Sequence, residues 1–282
     1  MPEPRSEWDF TSISSDRAPE NVDTTVPHPA RMYDYYLGGK DNFAADRAAA
    51  DAAIAAVPDM PFTAQGNRAF LGRAVRFLAE AGIKQILDIG TGIPTAGNTH
   101  QVAQQIDPGI RVVYVDNDPM VLAHARALMA GEGRGRTSVL QADLREPGKI
   151  LDHPDLNAII DFTEPVAVNL IAILHFIKDA EDPVRLVRTL RERMAPGSFL
   201  TVSHCTLDFG DEASGEALRA IYSRATAPLL PRTHAEISEY FEGFDLVEPG
   251  LVQVPLWRPG RVVSPEELAR VHFYAGIGRL RS

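Results

Sequence analysis

The chain has 282 residues, 45% of them hydrophobic and 23% charged, a composition suited to a globular protein with a sizeable core. Its formal net charge of −10, from 38 acidic against 28 basic residues, argues against a broad binding surface for DNA or RNA. The lone cysteine, Cys205, excludes an intramolecular disulfide and a cysteine-based metal site, and no apolar run is long enough to span a bilayer, so a cytoplasmic protein with neither nucleic-acid nor membrane partners is expected.

Residues 1–26 are polar, mixed in charge and interrupted by Pro2, Pro4 and Pro19, which predicts a flexible tail; Trp8 and Phe10 have no identifiable role in it. Order is expected from Pro27-His-Pro29. A short helix over Ala30 to Leu37 is stopped by Gly38-Gly39. An alanine-rich helix follows over Phe43 to Val57, and Thr63 to Ala81 carries an amphipathic stripe of Phe70, Leu71, Ala74, Val75 and Leu78. These helices precede the first strand and are placed to form a cap, residues 27–80, over the carboxyl edge of a sheet built from residues 81–282. Tyr33, Tyr36, Lys40, Asn42 and Arg68 are the polar cap residues of interest. Arg68 and Lys40 read either as solvated charges or as partners for a ligand carboxylate.

The central stretch is Lys84 to Thr95. Ile86-Leu-Asp-Ile89 is an apolar run cut off by Gly90, Thr91 and Gly92, and a helix is expected from Thr95 to Ile106. Such a turn leaves bare main chain beside a ligand. The dinucleotide pattern is incomplete, because Thr95 stands where a third glycine belongs. Asp88, two residues before Gly90, would face a pyrophosphate badly but suits a sulfonium or ammonium group. The loop therefore favours S-adenosylmethionine over NAD.

Strand two, Arg111 to Asp116, ends in an acid placed to accept hydrogen bonds from ribose hydroxyls, with Asn117 and Asp118 beside it. Pro119 opens a helix to about Ala130, and a loop spans Gly131 to Gly135. Strand three, Thr137 to Ala142, ends in Asp143-Leu144, an acceptor and an apolar surface fit for an adenine. Strand four is expected at Asn157 to Asp161 with Phe162-Thr-Glu164 as its exit, helices at Val166–Phe176 and Pro183–Met194, and strand five at Ser198–Ser203. Beyond Cys205 helices are expected at Ser214–Ala227 and Thr233–Phe241, and strands at Phe244–Glu248 and Val271–Gly278, one of them antiparallel.

The segment from about Asn67 to Trp257 resembles the class I S-adenosylmethionine-dependent methyltransferases. More narrowly it is similar to an S-adenosyl methyltransferase family with Asp-Ile-Gly-Thr-Gly-x-Pro-Thr (Asp88 to Thr95), Val-Tyr-Val-Asp-Asn-Asp-Pro (Val113 to Pro119), Leu-His-Phe (Leu174 to Phe176) and the stretch Tyr33 to Asn42. The similarity covers nearly the whole chain after residue 26. It implies an α/β, Rossmann-like, seven-stranded, mostly parallel sheet with helices on both faces and an N-terminal helical cap. It also implies S-adenosyl-L-methionine as cofactor. Asp88, Gly90, Thr91, Gly92, Asp116, Asn117, Asp143, Leu144 and Asp161, with Tyr36, Lys40, Asn42 and Arg68 of the cap, are the expected cofactor residues.

Methyl transfer needs a general base only when the nucleophile arrives protonated. His175, Glu164 and His204 are the candidate catalytic residues, at the expected ends of strands four and five. A histidine inside Ile173-Leu-His-Phe-Ile177 is more often a satisfied core residue, and Glu164 also fits a helix cap. No histidine pair has i, i+4 spacing and no carboxylate pattern accompanies the eight, so no metal is expected. A small-molecule acceptor fits best. A homodimer is compatible with the sequence, and the resemblance names no acceptor.

Overall fold

A computed structural model describes residues 22–95, 97–129 and 137–281. Residues 1–21 of the tail expected over 1–26, with Trp8 and Phe10, and the loop 131–135 lie outside the described residues.

Continuous apolar runs build the sheet. Gln85–Ile89 (β1), Arg111–Asp116 (β2), Ala167–Ile171 (β4) and Phe199–Cys205 (β5) are buried almost throughout, as parallel strands covered on both faces must be. Thr137–Gln141 (β3) forms one edge. The order is β3-β2-β1-β4-β5, all parallel, followed by Phe273–Leu280 (β8), antiparallel to β5, and Phe244–Leu246 (β6), antiparallel to β8. The two-residue Val252–Gln253 (β7) pairs with β8 and makes eight strands, one more than expected. Strand order reverses between β1 and β4, and a crevice outside their carboxyl ends follows from that reversal.

The helices are Pro29–Tyr36 (α1), Ala44–Ala56 (α2), Met60–Glu80 (α3), Thr99–Ile106 (α4), Pro119–Met129 (α5), Pro147–Leu151 (α6), Pro154–Asn157 (α7), Pro183–Arg191 (α8), Glu212–Tyr222 (α9), His234–Ser238 (α10) and Pro265–Ala269 (α11). Phe70, Ala74 and Leu78 of α3 join Ile86, Val112, Phe199 and Trp257 in one core layer. Phe70 and Phe77 meet the buried Trp257 ring edge-on at 5.4 and 5.8 Å. On the other face Ile150, Leu156, Leu186 and Leu190 pack with Leu87, Val113, Val168 and Leu200. α3 is thus a layer of the sheet's own sandwich, while α1 and α2 overhang the carboxyl edge.

Two expected elements are displaced. The fourth strand lies at Ala167–Ile171, where a helix was expected, and Asn157 to Asp161 is the end of α7 and a turn. A short apolar run buried on both faces carries no periodicity to separate strand from helix. Pro154 opens α7, and the Asp161 carboxylate turns back onto Thr163 N and Oγ1 at 2.9 and 2.7 Å. Asp161 and Glu164 consequently sit at the amino edge of the sheet, where their carbonyls accept from Nε2 of Gln85, the first residue of β1. The second displacement is at α4, which begins at Thr99 rather than Thr95. Asn98 is its N-cap residue: Gln101 Oε1 reaches back to accept from Asn98 N, while Asn98 Oδ1 accepts from Thr95 N of the preceding loop.

Candidate functional site

A cavity of about 410 Å³ opens at the switch point, between the loop after β1, the ends of β2, β3 and β4, and α1. Gly90 and Gly92 both have positive φ, +75° and +66°, which only glycine adopts cheaply. Their environments differ. A Cβ on Gly90 would stand 2.5 Å from Ile173 Cγ1, so this glycine lets the turn after β4 close onto the loop. A Cβ on Gly92 would meet nothing within 4 Å, and Gly92 lines the cavity: a side chain there would occupy ligand space.

Asp116 is the buried floor beside the loop. Its Oδ2 accepts from Gly92 N at 2.9 Å and its Oδ1 from Asp118 N at 3.0 Å. Burial raises its pKa to about 6, against the pull of those backbone donors. Asp143 lies at the far wall, gripped by Arg145 Nε and Nη2 at 2.9 and 2.7 Å and touched by Asn117 Nδ2 at 3.2 Å. Burial pushes the Asp143 pKa up, but the Arg145 hydrogen bonds outweigh it and hold the carboxyl below its usual range. Leu144 and Ala142 supply the apolar surface next to it.

At the opposite end Arg68 lines the cavity and donates to Asn98 Oδ1 at 3.1 Å. Thr95 Oγ1 and Asn98 Nδ2 are buried beside it without partners among the described residues. An anionic group would satisfy both. From above, His28 faces Asp118 with Nδ1 and Oδ2 3.3 Å apart. Ala172, at φ +57°, and Ile173 complete the wall where β4 ends.

The structure therefore brings together Gly90, Thr91, Gly92, Asp116, Asn117, Asp143, Leu144 and Arg68. Other expected residues stand elsewhere. Asp88 lies behind the loop, accepting from Thr99 Oγ1 at 2.5 Å; burial raises its pKa to about 6. Lys40 is exposed and off the cavity wall. Asn42 is an internal brace, donating to Asp34 Oδ2 and Gly39 O at 2.8 and 3.1 Å. Tyr36 points its hydroxyl at Tyr222, 3.0 Å away, in a second cavity. Asp161 and Glu164 are exposed at the opposite sheet edge, out of reach of the site, because β4 starts after them.

His204 lies between the Cys205 carbonyl, 2.7 Å from its Nδ1, and Arg232 Nη1, 3.2 Å from its Nε2. Burial and then the Arg232 charge push its pKa down to about 3. It lines neither cavity. His175, His204 and Cys205 have donor atoms within 4.8 Å of one another, yet the Arg232 guanidinium and the un-ionised, buried thiol make the trio a poor cation site. The reading from sequence missed His28, Asn98, Arg145 and the Ala172-Ile173 turn. The Asn98-x-x-Gln101 capping signature was the available signal for the second; misplacing β4 hid the last.

The sequence profile described as S-adenosyl methyltransferase matches residues 15–281. The chain belongs to this S-adenosyl methyltransferase family. A DUF574 family protein from Streptomyces avermitilis is 44% identical, with a TM-score of 0.85 over 92% of this chain and 99% of that one. A provisionally named methyltransferase from Thermobifida fusca is 46% identical, with a TM-score of 0.86 over 94% and 98%. No curated protein matches the chain significantly.

The family's cofactor, S-adenosylmethionine, fits the residues present. Gly92 leaves a cradle that a Cβ would fill, Asp116 offers a carboxylate for hydroxyls, and Thr95 and Asn98 hold orphaned atoms beside Arg68 for a carboxylate. No phosphate-binding loop is present, which agrees with a cofactor that carries none. Among the described residues no helix is long and apolar enough to cross a membrane.

Proposed function

We propose that this S-adenosyl methyltransferase acts on a small-molecule acceptor, methylating oxygen or nitrogen. The observation that carries this is the meeting of two cavities: Pro29, Tyr33 and Phe176 line both the cofactor cavity and a smaller chamber behind it. Asp116, Asp143 and Arg68 support a reading in which the nucleoside lies across β2 and β3 and the amino-acid end lies toward α3. The acceptor's lone pair forms the new bond to the methyl carbon, the sulfur–methyl bond breaks with its electron pair passing to sulfur, and a proton on the nucleophile leaves to water. Bound cofactor supplies the electrophile; this chain's residues supply orientation and exclusion of water. None of the three expected bases serves, since Glu164 lies at the wrong edge and the lone pairs of His175 and His204 are taken. A pre-ionised or neutral amine nucleophile needs none. The negative surface supports an acceptor that is not a nucleic acid, and the buried Cys205 agrees with a reducing, cytoplasmic setting.

Calorimetric titration with S-adenosylmethionine, S-adenosylhomocysteine and NAD tests the cofactor half: the first two bind and NAD does not. Methyl-labelled cofactor incubated with a panel of phenols and amines tests the second half. Binding with no label transferred to any member would leave a sensor of the cofactor rather than an enzyme.

A further inference from the structure

The chamber behind the cofactor cavity measures about 240 Å³, with walls from α1, α2, the turn after β4, the end of β5, α9 and the start of β8. Among the described residues no lysine or arginine lines it. Two carboxylates do, and both are committed: Asp59 to Arg270 Nε at 2.7 Å, and Asp211 to Ser214 N and Oγ at 2.9 and 2.7 Å at the start of α9. An anion entering here would lose its hydration without meeting a counter-charge. Aromatic rings cluster in the wall. Phe176 lies at 30° to Tyr222 with centroids 6.1 Å apart, and Phe176 and Phe273 meet His175 edge-on at 4.4 and 5.4 Å.

Besides the Thr206 hydroxyl and the half-buried His272 ring, two donors line this largely apolar space. His175 is 2% exposed, and the Cys205 N–H donates to its Nδ1 at 3.3 Å. A nitrogen that accepts carries no proton, so the neutral ring holds its proton on Nε2. That Nε2–H has no partner among the described residues. The hydroxyls of Tyr36 and Tyr222 are 3.0 Å apart, so one donates to the other and one O–H remains to spare. Buried donors left unmet are destabilising, and a ligand oxygen would meet them.

Resting on the methyltransferase reading above, we propose that this chamber holds the methyl acceptor and selects a flat, uncharged hydroxyaromatic amine, whose oxygen accepts from His175 Nε2–H and whose neutral nitrogen, needing no base, takes the methyl group and sheds its proton to water. The volume, below the roughly 300 Å³ at which drug-sized pockets begin, limits the molecule to about one or two rings. His175 anchors the acceptor and does not take its proton, since its one lone pair is spent on Cys205. Burial keeps the ring neutral, which preserves this arrangement across the working pH range. Pro29, Tyr33 and Phe176 mark where the methyl group crosses.

The test uses the full chain saturated with S-adenosylhomocysteine and three probes of one shape, 2-naphthol, naphthalene and 2-naphthoate, titrated calorimetrically. The naphthol binds about tenfold tighter than either of the others, because one lacks the hydrogen bond and the other brings an unpaired charge. Ala56→Trp, on the partly exposed wall at the end of α2, fills the chamber and weakens naphthol by about tenfold or more while leaving S-adenosylhomocysteine within about twofold. His175→Phe erases the preference for naphthol over naphthalene, and His175→Gln, which keeps a donor near Nε2, retains it. Naphthoate binding as tightly as naphthol, or naphthol indifferent to Ala56→Trp, overturns the assignment. If His175→Phe does not fold, the probe series and Ala56→Trp decide it. Failure of S-adenosylhomocysteine to bind sinks the cofactor reading instead, and naphthol titrated alone then reports on the chamber separately.

Discussion

The hydroxyl of Ser203, near the end of β5, donates to Asn67 Oδ1 of α3 across 2.6 Å. Asn67 Nδ2 passes the chain on to the Tyr33 hydroxyl at 3.0 Å, which donates to Ala64 O at 3.0 Å, and Ser203 Oγ itself accepts from Ala172 N at 3.0 Å. One line of buried hydrogen bonds thus joins the turn after β4, β5, α3 and α1. It sets the height of α1 above the sheet, and with it the width of both cavities. Such networks are satisfied as a whole or not at all.

Asn67→Ala breaks this line in the middle. It leaves the Ser203 and Tyr33 hydroxyls with unmet buried groups, at a cost of about 1–3 kcal/mol. Denaturant unfolding should show that loss, and S-adenosylhomocysteine affinity should fall with it because Tyr33 lines the cavity. A variant that loses stability but binds normally would restrict the network to a packing role.

The two loop glycines should fail differently. Gly92→Val points into open cavity, so the protein folds with a penalty of about 1–2 kcal/mol for a left-handed side chain and loses cofactor binding. Gly90→Val drives its Cβ into Ile173 and damages folding before binding is measured. Circular dichroism and calorimetry on both separate the effects. Native affinity in folded Gly92→Val would mean that the ligand lies elsewhere.

This difference also marks how far the site could be read from sequence. Asp116, Asp143-Leu144 and the glycine loop were legible because each ends an apolar run at a position the fold itself assigns to ligand. A mostly parallel sheet with one antiparallel strand among the last two followed from the same alternation; the strand order, and that the antiparallel strand is β8, come from the structure. Asp161 and Glu164 were misplaced because Asn157-Ala-Ile-Ile and Ala167-Val-Asn-Leu-Ile look alike as short apolar runs, and only burial on both faces makes the second a strand. Asp88 was read by its distance from Gly90, yet strand alternation puts its side chain under α4, against Thr99. His28, Arg145 and Ser203 were invisible, since each acts through a partner distant in sequence or through a capping turn.

Asp116 predicts opposite pH effects on stability and on binding. Its folded pKa of about 6 lies above the ordinary 3.8, so its contribution to stability is full below about 3.8 and is lost as pH rises through about 6. Asp88, raised to about 6 by the same cause, adds to this trend. The free protein therefore gains stability from these groups on going from about pH 7.5 to 5, about 1.4 kcal/mol each, since the full contribution is reached only below about pH 3.8. Cofactor affinity runs the other way, because hydroxyls are held by the ionised carboxylate. Asp116→Asn should flatten part of the stability trend and weaken binding at pH 7.5 by about 1–3 kcal/mol. Parallel melting curves for the two proteins from about pH 5 to 8 would refute the assignment.

The last expectation concerns α1, which with its N-cap residue His28 contributes Ala30, Arg31 and Tyr33 to the cavity wall and overhangs the carboxyl edge. It is latched to α2 by Asp46, whose Oδ1 accepts from His28 N and Arg31 Nε at 2.8 and 3.1 Å and whose Oδ2 accepts from Phe43 N at 2.8 Å. Arg31 also reaches back to Asp23 O and Val26 O, so the segment before α1 belongs to the same assembly. A cover with few contacts to the sheet beyond Tyr33 and Asn67 opens at lower cost than the sheet unfolds. Amides over residues 28–56 should exchange faster in the free protein and gain protection on adding S-adenosylmethionine, while β1, β4 and β5 stay unchanged. Asp46→Ala, which strands the buried Arg31 charge at a local cost of about 3–5 kcal/mol, should abolish that protection and cut affinity without melting the sheet. Removing residues 1–26 takes away Arg31's two carbonyl partners and should weaken binding only in part; removing 1–62 should eliminate it. Equal exchange over 28–56 with and without cofactor would leave α1 as fixed packing rather than a cover that closes on its ligand.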